Sequence, residues 1–487
     1  MIGYIILGAV LVLLAVTLIR AALFVEKKEA IQKFDSRNID DKKALEHLSE
    51  AIKIDTTSVE NLDKNADFSN FYDFHKFLEN AYPLIHKTMK KEVIAEASLL
   101  YYWEGKNPDL KPIAMLSHMD VVPVEKGTEK DWTHPPFSGH NDGENLWGRG
   151  TLDMKHHLVA LMEGLEALIK DGFVPERGIY ICFGQDEELS IGENRGAAKI
   201  AKTLKDRGIR LEAVLDEGGS IMPVKLAGIN ASFAAVGTTE KGFADFKITV
   251  TGKGGHASTP PKHTAVGKLA KIIRRIERHP MKAKLLPVNK ELLEKAGRNM
   301  PFYIRIFLAN LWLFKPLLLC LMKKIPEAAS VIRSTQAITM CSGSEVSNVL
   351  PQKASVVINC RLLPGDTTED VLKHLKKIVG KYGEVEFIGF KKEAAPISST
   401  KSKAYLTVEK LCKEITDNSV TIPLLVMGAT DSFYYEEIAE TILRISPFPT
   451  PMNIMSLIHN TNEHLPIDSM KGAVYFFKNY IKTMTEN

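Results

Sequence analysis

The chain has 487 residues, with 63 Lys and Arg against 59 Asp and Glu for a formal net charge of +4. That length exceeds one simple core and predicts two domains plus an appendage, while 45% hydrophobic and 25% charged residues exclude wholesale disorder. The small charge, without a dense basic patch interleaved with aromatics, excludes nucleic acid as a partner. Five cysteines (Cys182, Cys320, Cys341, Cys360 and Cys412) are scattered and form no CxxC pair, so neither a disulfide framework nor a cysteine zinc site is signalled. Any metal must be held by His, Asp and Glu.

The first element is apolar. Met1 to Ile19 holds no charged side chain and predicts a helix of the roughly 20 residues that span a bilayer. We place a membrane anchor over residues 1–22. A cleaved signal peptide is disfavoured because a basic leading region is missing and the small-residue cleavage context is poor. Arg20, Lys27, Lys28 and Lys33 follow the span, and the positive-inside bias would keep that side cytoplasmic. Glu26 and Glu29 count little in that rule. Residues 25–60 then read as a charged, helical connector.

Next comes a series of short apolar runs. Lys111 to Val122, Ile179 to Gly184 and Ala213 to Leu215 predict buried strands, and Met154 to Lys170 has helical periodicity after the Gly148-Arg149-Gly150 turn. Strands alternating with helices predict a mixed α/β sheet with functional loops at its strand ends. From Lys241 the texture changes. Alternating strands at Phe243–Val250 and Ala354–Leu362 are each followed by a glycine-containing turn and a helix, from Thr264 to Arg278 and from about Thr368. That order suits a small α+β domain set into the larger one. Near Ala395 the pattern returns to elements that complete the first sheet. Phe302 to Met322 is almost long enough to span, but Arg305, Asn310, Lys315 and Pro316 interrupt it. It reads as a helical hairpin packed on the inserted domain, with a bilayer- or lipid-facing surface as the alternative.

The chemistry gathers at predicted strand ends. His118 and Asp120 are two apart, so in extended structure they face the same way, and a carboxylate there can fix the tautomer of a metal-binding imidazole. Asp153 follows the Gly-Arg-Gly turn, where it would also serve as a helix cap. Glu187 and Glu188 end another strand and point apart, so one can meet a metal while the other meets substrate. Asp216 opens Asp-Glu-Gly-Gly, and His459 opens His-Asn-Thr-Asn-Glu. Five separate segments thus each offer an oxygen or imidazole donor, the set a two-zinc site with an open water position needs. Singly each is weak; a lone strand histidine is more often a core residue.

In order, SHMDVVP (117–123), WTHPPFSG (132–139), GRGTLDMK (148–155), QDEE (185–188), DEGG (216–219), GKGGHASTP (252–260), SNVLP (347–351) and HNTNE (459–463) resemble the aminoacylase/carboxypeptidase family of co-catalytic zinc peptidases. The branch most similar is that of carboxypeptidase S and the secreted N-acyl-amino-acid hydrolases. The resemblance implies an α/β zinc-peptidase-like catalytic domain over 23–239 and 395–487, with a ferredoxin-like lid and dimerisation domain inserted over 240–394. It implies two zinc ions per subunit, replaceable by cobalt or manganese, with Asp153 bridging them. His118 and Asp216 would complete one metal site, Glu188 and His459 the other. Glu187 would be the general base and Asp120 the partner of His118. His256 would stabilise the oxyanion, commonly across a homodimer interface, and Asn348 and Arg361 would bind substrate, a guanidinium being a planar carboxylate clamp. Arg361 would otherwise be a surface strand residue paired with Asp366. Two positions depart from the pattern. Phe433 stands where many relatives carry Arg after Asp-Ser, which moves or weakens carboxylate recognition, and Met154 stands where many carry a second acid. The expected reaction is hydrolysis of a peptide or N-acyl amino acid at the amide beside a free carboxylate. The resemblance favours the extracytoplasmic side, against the charge flank. A non-catalytic binding or scaffold protein on the same fold is the alternative, and it would require a missing ligand or base. A serine hydrolase is excluded by the lack of a GxSxG elbow.

Overall fold

A computed structural model describes residues 1–26, 34, 39–59, 66–189, 192, 195–226 and 229–486. Lys27, Lys28, Glu29 and Lys33 of the expected connector lie outside the described residues; its later part forms the helix Asp41–Lys53.

Apolar runs without polar interruption make the middle of an eight-stranded sheet. Ile113–His118 and Ile179–Gly184 are buried at every position, as strands covered on both faces must be. The strand order is Lys90–Ile94, Ser98–Trp103, Ile179–Gly184, Ile113–His118, Ala213–Leu226, Ile442–Pro449, Ile229–Glu240 and Ser419–Val426. Ile113–His118 runs parallel to both neighbours, while the edge from Lys90 and the 213–240 hairpin are antiparallel. Alternation decides which core each side chain joins. Ile113 and Met115 pack with the helices Lys155–Lys170 and Asp468–Thr485, whereas Ala114 and Leu116 pack with Ile200 and Leu204 of Gly196–Asp206 on the other face. Parallel strands deliver their carboxyl ends to one edge. The segments after His118, Gly184 and Leu215 therefore meet there.

A second sheet is built differently. Gly242–Thr251 and Lys353–Leu362 alternate buried and half-buried positions, the pattern of an antiparallel sheet covered on one face. Its order is Thr335–Ser342, Lys353–Leu362, Gly242–Thr251 and Glu384–Lys392, all antiparallel. The helices Ala265–Arg278 and Thr368–Val379 cover it and share its core. Sequence order β-α-β-β-α-β with this strand order is the ferredoxin-like arrangement. The Thr368–Val379 helix starts with a full capping box between Thr367 and Asp370, which satisfies two otherwise orphaned amide groups.

Between the first helix and the second strand of this unit the chain inserts four helices: Pro287–Gly297, Phe302–Leu308, Leu311–Met322 and Pro326–Ile332. The expected hairpin at Phe302–Met322 is a pair bent by 100°. The Asn310 turn of this pair is fastened to the N-terminal helix Ile2–Leu23, where Asn310 Nδ2 donates to the Thr17 carbonyl at 3.0 Å. Within that N-terminal helix only Thr17 and Ala21 are buried.

Candidate active site

The sheet edge brings its acids and imidazoles together around Asp153. One Asp153 oxygen lies 3.1 Å from His118 Nε2, and the other lies 3.0 Å from His459 Nε2. His459 Nε2 also meets Glu188 Oε1 at 3.1 Å, and His118 Nε2 meets Glu217 Oε1 at 3.2 Å. Donor atoms of His118, Asp153 and Glu188 all fall within 4.8 Å of one another, as do those of His118, Glu187 and Glu217.

Each position has a local cause. Asp153 leaves a turn in which Gly148 and Gly150 take φ of +146° and +91°, and a Cβ on Gly150 would stand 2.8 Å from Val121. Glycine is required there. The turn is held by buried Glu463, which accepts from Gly150 N (3.0 Å), Leu152 N (2.8 Å) and Arg149 Nη1 (2.5 Å). Glu463 thereby ties the His459 loop to the Asp153 turn. Asp120 joins two other segments: its carboxylate accepts from Glu187 N and Glu188 N, each at 3.1 Å, and from Ser58 Oγ at 2.8 Å. Its backbone carbonyl lies 2.9 Å from His118 Nδ1, while the carboxylate is farther, at 3.4 Å. The imidazole is thus oriented chiefly by the backbone of Asp120, and the carboxylate chiefly orients the Glu187–Glu188 pair.

Asp216 departs from expectation. Its carboxylate accepts from Ser432 N at 2.8 Å and lies near Thr430 and Arg444 rather than in the cluster. Neighbouring strand residues point to opposite faces, so Glu217 occupies the place beside His118 that was expected for Asp216.

Electrostatics favour cations here. Burial pushes the carboxyls of Glu187, Glu188, Asp216 and Asp431 up, and that of Glu217 up to about 8. Burial also opposes ionisation of Asp153, but hydrogen bonds from His118 and His459 outweigh it and leave that carboxyl below the usual range. Hydrogen bonds to Asp153 and Glu188 hold His459 up to about 10. Crowded, recessed oxygens with two imidazoles form a donor set matched to zinc or a similar borderline cation. The residues present fit such ions.

Above the cluster opens a cavity of about 630 Å³. Asp153, Glu187, Glu188, Glu217 and His459 line its polar part, and Met222, Ile422, Leu424, Val426, Phe448 and Ile458 its apolar wall. Arg361 reaches it from the four-stranded sheet, with its guanidinium 5.5 Å from the Phe243 ring centroid. Asp366 is engaged by Lys284 (2.8 Å) and Ser334 (2.5 Å) instead of Arg361. Phe433 also lines the cavity, under Lys392, whose ammonium is 4.1 Å from its ring centroid. His256 and Asn348 are not brought to the cluster. Both are exposed on the short ribbon Gly255–His256/Val349–Leu350, where His256 Nδ1 pairs with Ser258 Oγ at 2.7 Å and the Asn348 carbonyl accepts from Ala257 N.

The family model for "Peptidase family M20/M25/M40" matches residues 114–483, which contain every residue of this cluster. The chain belongs to that peptidase family. It is 37% identical over 421 residues to "Probable carboxypeptidase S-like 2" of Dictyostelium discoideum, covering 85% of this chain and 79% of that protein. It is 30% identical to "N-fatty-acyl-amino acid synthase/hydrolase PM20D1" of Xenopus tropicalis, covering 98% and 92%. The M20 family metallo-carboxypeptidase Sso-CP2 from Sulfolobus solfataricus superposes with a TM-score of 0.62 at 18% identity, covering 90% of this chain and 98% of that one. This M20 chain is a hydrolase of amide bonds beside a free carboxylate, in a metal-dependent family.

Proposed function

We propose that the cluster holds two zinc ions, with Asp153 bridging them, His118 and Glu217 at one ion, and Glu188 and His459 at the other. The observation that carries this reading is that Asp153 offers a separate oxygen toward each of two histidines. When bound, the cations would polarise the scissile carbonyl and make a shared water acidic near neutral pH.

The chain's own groups supply the rest. Glu187, whose carboxyl burial pushes well above its ordinary range, is the general base. It takes the proton of the attacking water and passes it to the leaving nitrogen. Asp120 keeps Glu187 and Glu188 in place through their amide groups. Arg361 binds the substrate carboxylate as a planar two-pronged donor, a role left to it where Phe433 carries no charge. The apolar wall from Met222 to Ile458 receives an apolar acyl group, so N-acyl amino acids are the favoured substrates over polar dipeptides. His256 and Asn348, remote from this cavity, act on substrate in the second subunit of a homodimer, presented by the 240–394 lid and dimerisation domain. The N-terminal helix, apolar and almost wholly exposed, anchors the enzyme with the catalytic domain (23–239 and 395–487) on the extracytoplasmic side. The non-catalytic alternative has no missing ligand or base to rest on.

Glu187→Gln keeps the shape of the side chain and its neighbours but removes the base. The zinc-loaded variant should retain two metal equivalents and lose at least about a hundredfold in kcat on N-acyl amino acids. Unchanged turnover would overturn the assignment, and a clear preference of the wild type for polar dipeptides would overturn the choice of substrate.

A further inference from the structure

The bent helix pair Phe302–Leu308 and Leu311–Met322 presents large apolar side chains to the outside. Tyr303, Phe307, Trp312, Leu317 and Leu321 are between 46% and 60% exposed. A helix broken at residues 309–310 leaves carbonyl groups without intrahelical donors. Facing water they would need no partner. Here the Ala309 carbonyl is supplied with a partner by Arg20 of the N-terminal helix, and the pair in turn donates to carbonyls at the end of that helix. Arg20 donates to the Ala309 carbonyl through Nε (3.3 Å) and Nη2 (3.1 Å), and Arg305 Nη1 donates to the Phe24 carbonyl at 3.3 Å. Asn310 is fully buried, donates to the Thr17 and Ile306 carbonyls at 3.0 and 2.9 Å, and accepts from Trp312 Nε1 at 3.3 Å. Internal satisfaction of irregular backbone is what an apolar solvent demands.

Charge points the same way. From Arg298 to Pro326 the sequence has no acidic residue but carries Arg298, Arg305, Lys315, Lys323 and Lys324. Basic side chains around an apolar, tryptophan-bearing helix suit an anionic membrane surface. The element is also close to the cavity. Leu292 and Met300, just ahead of the pair, pack with Met222, Ile422 and Leu424, three residues of the cavity's apolar wall.

We propose that the pair Phe302–Met322 is a second bilayer-contacting element, locked to the N-terminal helix, that seats the apolar wall of the cavity against a membrane containing anionic lipid. An amphiphilic substrate dissolved in that membrane would then meet the enzyme at its apolar side. The inference rests on the reading of the N-terminal helix as an anchor, so its test separates the two.

The full chain is reconstituted in vesicles of brominated phosphatidylcholine and phosphatidylglycerol, and its tryptophan emission is compared with that in unbrominated vesicles. Trp103 and Trp132 are buried in the protein and Trp147 is half-buried beside His464, away from the bent pair, so most of the quenching should come from Trp312. Roughly half or more of the quenched emission should disappear in Trp312→Phe. With Trp312 in place, Leu317→Ser/Leu321→Ser, at exposed positions, should weaken its quenching without unfolding the chain. Flotation on a density gradient reports the anchor. A chain that floats while Trp312 escapes the bromolipid, or is quenched equally with and without Trp312, overturns the proposal and leaves the anchor standing. A chain that does not float overturns both.

Discussion

The exchange of Glu217 for Asp216 beside His118 makes opposite demands on two adjacent carboxylates. In the metal-free fold Glu217 titrates at about 8 because burial disfavours its charge. A carboxyl raised in the folded state loses stability for the fold as pH climbs above its unfolded value. At pH 7 the metal-free protein therefore carries a cost of about 3 kcal/mol at this one side chain. Glu217→Gln should remove much of that cost. The stripped variant should resist urea better than stripped wild type, yet purify with one metal equivalent fewer. Asp216→Asn should leave both metals bound. It keeps an oxygen that can accept from the Ser432 amide, which now meets the carboxylate at 2.8 Å. It also removes a carboxylate that burial pushes up, so the stripped variant should be no less stable than stripped wild type. Elemental analysis of zinc per chain, paired with urea melts of stripped and loaded protein, reads both quantities. An Asp216→Asn protein lacking one metal, beside a Glu217→Gln protein retaining two, would refute the reasoning.

Asp120→Asn cannot satisfy both glutamate amides and Ser58 with its single remaining oxygen, so chelator competition should show metal affinity about 10–100-fold weaker. Glu463→Gln breaks a buried pair with Arg149 and sets an amide donor against donors in the Asp153 turn. Urea titration should register a loss of about 3–5 kcal/mol, and a loss below 1 kcal/mol would show that the turn does not depend on it. In the metal-free site Glu217 keeps its proton to about pH 8 and His459 to about pH 10. Against its burial, His118 is held up as well by its carboxylate neighbours. Filling the site must displace at least these protons, so zinc affinity should rise at least about a hundredfold per pH unit between about pH 6 and about pH 7.5. A flat profile would argue that neither group is a ligand.

Most of the cluster is legible in the sequence, because parallel strands with short apolar runs announce where their carboxyl ends lie. His118, Asp153, Glu187, Glu188 and His459 converge as a strand-end arrangement demands. What the chain text conceals is a parity. Along Ala213–Leu226 one residue decides which face a carboxylate takes, and Asp-Glu offers an acid to both. The buried run Ala213-Val214-Leu215 is apolar on both faces, so it gives no alternation from which to count. A signal was nonetheless present. A carboxylate at 216 falls opposite Arg444 in the parallel register with Ile442–Pro449, a neighbour that suits a structural acid better than a metal ligand.

The remote groups were hidden for a different reason. Glu463 and Ser58 act through backbone amides and a second carboxylate across separations of 311 and 62 residues, and no local spacing encodes such contacts. His256 pairs with Val349 in its ribbon and the Asn348 carbonyl accepts from Ala257 N, but among the described residues neither His256 nor Asn348 lines the cavity. The ferredoxin-like unit is joined to the large sheet by the crossings at 240–242 and 392–395, where Glu240 gathers Lys392 Nζ, Arg444 Nε and Thr430 at 2.6, 2.7 and 3.0 Å. Buried charges paired this closely resist separation, so the junction holds Arg361 over the cavity. The same junction opposes a large swing of this unit, which is why the proposed role of His256 calls for a second copy of the chain.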